Sequence, residues 1–285
     1  MKIGVMVESF RRGLAGGLEA ARRLGVSGVQ LYAKTQEADL CELTGPQRAA
    51  LARRIADAGL ELPAIVACMG GFGLEKDQDN PQRIQAARKA IELAVDLGCP
   101  VVSDHIGVIP SDAGHPRYAA MAKACQTIAG YGESLGVRFA IETGPERPEV
   151  LRTFLDDLAM PSLGVNFDPA NLVMVFGANI VAAVESLGPY IFHTHAKDGL
   201  NLRAVDAERL YHAFAVGGIE GFHVGDYLKE VPLGQGGVHF ETYLPALRKA
   251  GYDGYLTVER EVGERPEQDI TQAVEFLNGL LKHQR

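Results

Sequence analysis

The sequence predicts a single (β/α)8 barrel, in which eight parallel strands close into a ring surrounded by helices. Short β-rich runs alternate with helical patterns along the whole 285-residue chain. Alternation of this kind favours a parallel sheet, because parallel strands need helical crossovers. Eight such units in about 250 residues is the number found in a closed barrel. Several helical patterns end in a glycine before the next strand, as at Gly25 and Gly136, where glycine supplies the left-handed turn.

The elements follow in order from these patterns. The candidate strands are residues 2–8, 28–33, 62–67, 100–105, 137–142, 163–168, 190–195 and 254–259. The candidate helices are residues 17–24, 45–58, 81–97, 117–135, 150–158, 179–187, 240–250 and 266–282. One long irregular loop, residues 196–238, follows strand seven, and a loop of that length is typical of a lid or an oligomer contact.

The structural alternative is a doubly wound open sheet. Such a sheet usually has a glycine-rich first turn, whereas the first turn here reads Glu8-Ser9-Phe10-Arg11-Arg12. The chain contains no Pro/Ser-rich linker and no low-complexity tract. We therefore expect residues 1–285 to form one catalytic barrel domain.

Charge and composition limit the partners and the location. The chain has 28 basic and 36 acidic side chains, a net charge of −8, so we expect no general affinity for nucleic acid or for an anionic membrane. No apolar run approaches the roughly 18 residues of a membrane span. The sequence enters strand-like residues at once, and its four cysteines form no CxxC pair, which favours a cytoplasmic protein with reduced thiols. A homo-oligomer is left open.

Four polar side chains fall at the last inward position of four successive strands. In residues 137–142, alternation turns Val137, Phe139 and Ile141 toward the helices and Glu142 into the barrel. The same reasoning for the next three strands completes the set, which is Glu142, Asp168, His195 and Glu259. Barrel enzymes build their active sites from these positions.

Three carboxylates in a partly dehydrated cleft repel one another unless a proton or a cation compensates them. Three oxygen ligands and one imidazole suit a divalent ion with open positions for substrate. Mn²⁺ is our first choice, ahead of Mg²⁺, Co²⁺ and Zn²⁺. Taken singly, each residue has another interpretation: Asp168 precedes Pro169 and is able to cap a helix, and His195 fits a buried core position.

At these residues the sequence resembles the xylose isomerase-like barrel superfamily, and within it the sugar phosphate isomerase/epimerase group. The matching stretches are Ile141-Glu142-Thr143, Asn166-Phe167-Asp168-Pro169-Ala170-Asn171, His193-Thr194-His195-Ala196-Lys197-Asp198, Val231-Pro232-Leu233-Gly234-Gln235-Gly236 and Leu256-Thr257-Val258-Glu259-Arg260-Glu261. The resemblance implies Glu142, Asp168, His195 and Glu259 as metal ligands. It also implies that Glu142 and Glu259 exchange a proton with opposite faces of the substrate through a cis-enediolate.

The resemblance therefore implies a metal-dependent sugar isomerase or epimerase acting beside the carbonyl of a ketose, an inosose or a keto-glycoside. Polarisation by a metal acidifies the proton next to a carbonyl. The same intermediate allows a leaving group to be expelled, so a lyase or dehydratase, such as an inosose dehydratase, is the first alternative. A noncatalytic carbohydrate-binding barrel is the second, and the presence of both Glu142 and Glu259 argues against it.

The chain also departs from its relatives. Several epimerases of the group have histidine three residues after the metal-binding aspartate, where this chain has Asn171. They also have an acidic residue and an arginine after the metal-binding histidine, where this chain has Lys197-Asp198. The endonuclease IV branch needs further histidines, and strand three here ends in Ala67-Cys68.

Further polar residues at the strand ends are candidates for catalysis and for substrate binding. Lys197 is a candidate catalytic group that stabilises an oxyanion, the alternative being a surface lysine. His105, inward at the end of strand four, is a second candidate catalytic group, the alternative being a buried core histidine. Glu8, Asn171 and Asp198 are candidate substrate-binding residues.

Overall fold

The computed structural model describes residues 1–283, and it confirms the closed α/β barrel. Ten strands are present in this part of the chain: β1 (Lys2–Met6), β2 (Gly28–Tyr32), β3 (Glu61–Val66), β4 (Val101–Asp104), β5 (Arg138–Glu142), β6 (Leu163–Phe167), β7 (Ile191–Ala196), β8 (Asp198–Asn201), β9 (Leu228–Val231) and β10 (Tyr255–Val258). Eight of them form the barrel, in the order β1-β10-β7-β6-β5-β4-β3-β2. Gln284 and Arg285, which the predicted domain includes, lie outside the described residues.

Helices surround the barrel and cover its outer face. Those of the described chain are α1 (Gly13–Leu24), α2 (Gly45–Asp57), α3 (Asn80–Leu97), α4 (Pro116–Ser134), α5 (Pro148–Leu158), α6 (Pro169–Phe176), α7 (Ile180–Leu187), α8 (Ala207–Val216), α9 (Phe240–Lys249) and α10 (Pro266–His283). Gly25 and Gly98 end α1 and α3 with φ of 67° and 70°, as the glycine pattern predicts. None of the helices in residues 1–283 has both the length and the hydropathy of a membrane span.

The long segment after β7 is ordered rather than irregular. β8 and β9 pair as an antiparallel hairpin, with Asp198 opposite Val231 at its base. In the sequence, helix α8 lies between β8 and β9. The Asp206 side chain caps it by accepting a hydrogen bond from the backbone N–H of Arg209. Leu210 of α8 packs in a small apolar cluster with Val175 at the end of α6. The expectation of one long irregular loop over residues 196–238 is therefore wrong, because the segment contains β8, α8 and β9 and the apolar cluster stabilises α8.

Two further elements, β1 and α6, differ from the sequence prediction. β1 ends at Met6, and residues Val7–Phe10 form a short 3-10 helix instead of extending the strand to Glu8. Helix α6 begins directly after Asp168 in a stretch that is apolar on nearly every side. Because α6 is buried almost all round, its sequence shows no amphipathic period.

The barrel interior carries a polar layer beneath its open end. Side chains that face the helices, such as Val5 and Phe139, form the apolar core, and several inward side chains, among them Gln30, His193 and Thr257, are polar and buried. The Nε2 atom of His193 lies 2.9 Å from the Gln30 Oε1 atom and 2.9 Å from the Thr257 Oγ1 atom. This layer supports the side chains at the strand ends above it.

Candidate active site

Four side chains converge at the carboxyl end of the barrel. Glu142 ends β5, Asp168 follows β6, His195 lies in β7 and Glu259 follows β10. One potential ligand atom of each lies within 4.8 Å of the others, and all four side chains are buried. The structure therefore brings together the set of residues that alternation along the strands places at this depth.

Asp168 and His195 each present an unsatisfied atom to the centre of this cluster. Asp168 Oδ1 accepts hydrogen bonds from the backbone N–H groups of Ala170 and Asn171 and so caps α6. Its Oδ2 atom, and Nδ1 of His195, are buried without a hydrogen-bond partner among the described residues. Buried polar atoms are seldom left unpaired. The aspartate thus caps a helix with one oxygen and leaves the other free, an arrangement that fits a cation ligand.

The ring of His195 is oriented by the polar layer below it. Its Nε2 atom lies 3.1 Å from the Gln30 Oε1 atom and 3.1 Å from the Asn166 Nδ2 atom. Its Nδ1 atom lies 3.2 Å from Glu259 Oε2 and 3.6 Å from Glu142 Oε1. Donation of Nε2–H to the Gln30 amide leaves the Nδ1 lone pair facing the carboxylates, which is the tautomer that a metal requires.

The cluster has a strong negative field. Burial alone would lower the pKa of His195, but the charges of Glu259 and Glu142 outweigh it and raise that pKa well above its usual value. Burial would likewise raise the pKa of Glu259, but the positive charges of Lys197 and His195 lower it. A divalent cation supplies the same kind of compensation as these positive groups. The donor set and its electrostatics therefore fit a hard or borderline divalent ion.

Glu142 is surrounded by an imidazole and two amides. The Nε2 atom of His105 lies 3.3 Å from Glu142 Oε1. The side-chain amide of Asn166 donates to Oε2 at 3.2 Å, and that of Asn171 to Oε1 at 3.4 Å. Burial would raise the pKa of Glu142, and the neighbouring His105 and His195 lower it. The His105 side chain is 40% exposed and faces the cavity, so it is not a buried core histidine.

Glu259 is surrounded by an ammonium group and a phenol. Lys197 Nζ lies 3.1 Å from Glu259 Oε2 and 3.8 Å from Asp168 Oδ2, and it also contacts Glu261. The Tyr32 hydroxyl donates to Glu259 Oε1 at 3.5 Å. Because Lys197 is buried, the alternative of a surface lysine does not hold.

Two predicted substrate-binding residues, Glu8 and Asp198, lie outside the wall of the cavity. Both oxygens of Asp198 accept backbone N–H groups, from Gly199, Gly234, Gly236 and Val238. Asp198 thus anchors the loop that follows β9, and its carboxylate is not in the cavity wall. Glu8 lies in the 3-10 helix after β1, where burial raises its pKa to about 7. It too is absent from the wall, so no cavity contact supports either role.

Gln30, Tyr32, Asn166 and Tyr211 take part in the site without having been given a role from the sequence. Alternation contains a signal for the first three, since they occupy inward positions of β2 and β6. Tyr211 comes from α8, in the segment expected to be irregular. An open cavity of about 930 Å³ lies above the cluster, and its wall includes Glu142, Asn171, Lys197 and Glu259.

The sequence of this chain is similar to those of known proteins. L-ribulose-5-phosphate 3-epimerase UlaE from Salmonella paratyphi C (strain RKS4594) is 25% identical over 281 residues, which cover 93% of this chain and 88% of that protein. The uncharacterized protein MJ1311 of Methanocaldococcus jannaschii is 24% identical over 193 residues, 62% of this chain. That match spans 56% of the archaeal protein, little more than half its length.

Solved structures share the fold over the full chain. The xylose isomerase domain protein from Planctomyces limnophilus aligns with a TM-score of 0.79 and 28% identity, covering 99% of this chain and 97% of that one. The probable 3-DHS dehydratase AsbF from Bacillus anthracis aligns with a TM-score of 0.75, covering 98% and 99% of the two chains. At 18% identity, AsbF shows likeness of fold alone. Residues 18–280 match the family model described as xylose isomerase-like TIM barrel, and the chain therefore belongs to the xylose isomerase-like TIM barrel family.

Proposed function

We propose that this protein is a divalent-metal-dependent sugar isomerase or epimerase that transfers a proton next to a carbonyl of a ketose, an inosose or a keto-glycoside. The observation that carries the proposal is the cluster of Glu142, Asp168, His195 and Glu259, with two unsatisfied atoms facing its centre. The relationship to a sugar-phosphate 3-epimerase supports the same class of reaction.

The four residues of the cluster would hold the ion. Three carboxylates and one imidazole favour Mn²⁺, with Mg²⁺, Co²⁺ and Zn²⁺ as alternatives. An ion held there would supply a Lewis acid for the substrate carbonyl and would make the adjacent C–H group more acidic.

Glu142 and Glu259 reach the centre from different sides of the mouth, because β6 and β7 lie between their strands. One carboxylate removes the proton from carbon, and the other returns a proton to the opposite face, which inverts that carbon. Lys197 keeps Glu259 ionised and is placed to donate a hydrogen bond to a substrate oxygen. His105 and Asn171 hold Glu142 in position and face the same cavity.

The test is solvent-deuterium exchange into keto-sugars by protein loaded with Mn²⁺, followed by NMR, with metal content measured for every variant. We expect E142Q and E259Q each to lower the exchange rate by about 10²–10⁴-fold, the usual contribution of a general acid or base. Glu146 is a matched control, because it is a buried glutamate outside the cluster, and E146Q should keep the exchange. Full exchange by E142Q and E259Q with metal bound would contradict the proposal.

The lyase or dehydratase alternative has a specific observation in its favour. His105 and Lys197 face the same cavity from two sides, so two proton donors are available for a hydroxyl or glycosidic oxygen that leaves from the carbon β to the carbonyl. Mass spectrometry of the product distinguishes the reactions, because elimination releases water or an aglycone and epimerisation leaves the mass unchanged. A noncatalytic barrel would show no deuterium uptake from any of these sugars.

A further inference from the structure

An aromatic row leads from the carboxylate cluster to the rim of the cavity. The His105 ring, which contacts Glu142, lies 5.9 Å from the Tyr211 ring, centroid to centroid. The Tyr211 ring lies 5.7 Å from that of Phe214 in an edge-on arrangement. Phe214 is 54% exposed. The aromatic surface is therefore continuous from the carboxylate cluster outward.

Further apolar side chains line the outer cavity. They are Phe72, Met174, Leu228 and Val262, the last of which is 50% exposed. The cavity of about 930 Å³ is near the upper limit of the roughly 300–1,000 Å³ pockets that hold drug-sized ligands. It is larger than a single sugar ring requires. Exposed apolar side chains grouped around a concave site indicate a ligand with an apolar part.

The charge of the wall disfavours an anionic substrate. Six carboxylates line the cavity against Lys197, Lys229, Arg260 and the imidazole of His105, whose pKa, despite desolvation, the charge of Glu142 raises to about 9. The carboxylates are Glu75, Asp104, Glu142, Glu230, Glu259 and Glu261. Three of these groups are engaged: His105 by Glu142, Lys197 by Glu259 and Glu261, and Arg260 by Glu230 and Asp269. Lys229 is the remaining cation of the wall. A phosphate group would approach carboxylates and already paired cations, which costs binding free energy.

We propose that the substrate is an uncharged keto-glycoside with an aromatic aglycone. Its sugar lies over the carboxylate cluster, and its aglycone packs against Phe72, Tyr211 and Phe214. Aromatic rings pack edge-on or offset against one another and gain free energy beyond simple burial. The proposal rests on the proposed function for the position of the sugar, and on the aromatic row for the aglycone.

The test compares three probes on the full chain loaded with Mn²⁺: phenyl 3-keto-glucoside, methyl 3-keto-glucoside and 3-keto-glucose 6-phosphate. We expect kcat/KM for deuterium exchange to be about tenfold higher for the phenyl than for the methyl compound, as burial of one ring implies. The phosphate should be the poorest probe. F214A should lower the phenyl-to-methyl ratio toward one. V216A is the matched control, because Val216 is on the same helix, 49% exposed and outside the cavity wall.

Direct binding of phenyl glucoside, which has no ketone, separates this inference from the proposed function. If phenyl glucoside binds and F214A weakens that binding while no keto-sugar exchanges, the aglycone site stands and the proposed reaction fails. If exchange occurs with equal kcat/KM for the phenyl and methyl probes, or if the phosphate is preferred, the reaction stands and the aglycone site is wrong. If F214A instead reduces self-association in ultracentrifugation and leaves the ratio unchanged, the rim is an interface between copies and the inference is overturned.

Discussion

The two sides of the barrel mouth hold the same residue type in different electrostatic surroundings. On the β5 side, Glu142 accepts hydrogen bonds from the amides of Asn166 and Asn171 and lies beside the partly exposed imidazole of His105. On the β10 side, Glu259 is paired with the buried ammonium group of Lys197. One carboxylate is therefore supported by imidazoles together with two amides, and the other by an ammonium group.

The two glutamates are therefore not interchangeable, although each lies at the carboxyl end of a strand and faces the same centre. A buried charge pair loses much more when one partner is removed than a carboxylate that retains two amide donors. We therefore expect replacement of Lys197 to lower the exchange rate more than replacement of His105. Replacement of Glu146, a buried carboxylate without a hydrogen-bond partner among the described residues, should instead raise stability at high pH.

Among changes to the groups that surround the two glutamates, the largest effect is expected for K197M, which keeps the chain length and removes the charge. Loss of this cation leaves Glu259 without its ion pair to Lys197, and we expect exchange to fall by about 10²–10³-fold, as for removal of one charge-stabilising donor in an active site. Metal content, measured in parallel, should be retained.

K197R should keep part of the activity, because it preserves the charge. K249M is a surface control, since Lys249 pairs with Glu185 in an exposed position. An unchanged exchange rate in K197M would show that the charge at Lys197 does not support Glu259.

A smaller effect is expected for H105N. The variant removes one contact to Glu142, and the amides of Asn166 and Asn171 remain. We expect exchange to fall by about tenfold, which is ~1.4 kcal/mol and near the value of one hydrogen bond to a charged group. A loss greater than that in K197M would reverse the comparison of the two sides.

The smallest effect, and one on stability rather than exchange, is expected for E146Q. Both oxygens of Glu146 are buried without a hydrogen-bond partner in the part of the chain that is described, and burial raises its pKa from 4.5 to about 8. The folded state thus binds this proton more tightly than the unfolded state. Its contribution to stability is lost as the pH rises from 4.5 to about 8.

E146Q should therefore be more stable than the wild type at about pH 9, by about 1–3 kcal/mol. The difference should vanish at about pH 4, where the carboxyl group is protonated in both states. Thermal unfolding at the two pH values measures it. Equal stability at high pH would mean that Glu146 has a partner or bound water that neutralises its cost.

The barrel itself was predictable because strand alternation and glycine-terminated helices are local patterns. Those patterns do not predict helices whose stability comes from contacts with residues distant in the sequence. Helix α6 is buried almost all round and shows no amphipathic stripe. Helix α8 has a capping signal at Asp206, but its stability depends on packing against Val175 from another part of the chain.

The candidate site likewise has a part that the sequence predicts and a part that it does not. Glu142, Asp168, His195 and Glu259 were predictable because parallel strands bring their carboxyl ends to one edge. Their supporting contacts were not, because the contact of Gln30 with His195 joins residues 165 positions apart. Asp198 accepts hydrogen bonds from four backbone N–H groups. Three of these groups belong to a loop whose path is set by the hairpin. Residue type and strand position alone therefore made Asp198 resemble a substrate ligand.

The hairpin of β8 and β9 carries part of the cavity wall on a segment that is separate from the barrel sheet. Its strands leave and rejoin the fold at one point, where Asp198 faces Val231, and α8 with Phe214 lies beyond that junction. Changes within residues 202–227 that keep the packing of α8 against Val175 therefore need not shift the ends of β5, β6, β7 or β10. Under the proposed function, such changes would alter the contacts to the outer part of a substrate and leave the carboxylate cluster in place.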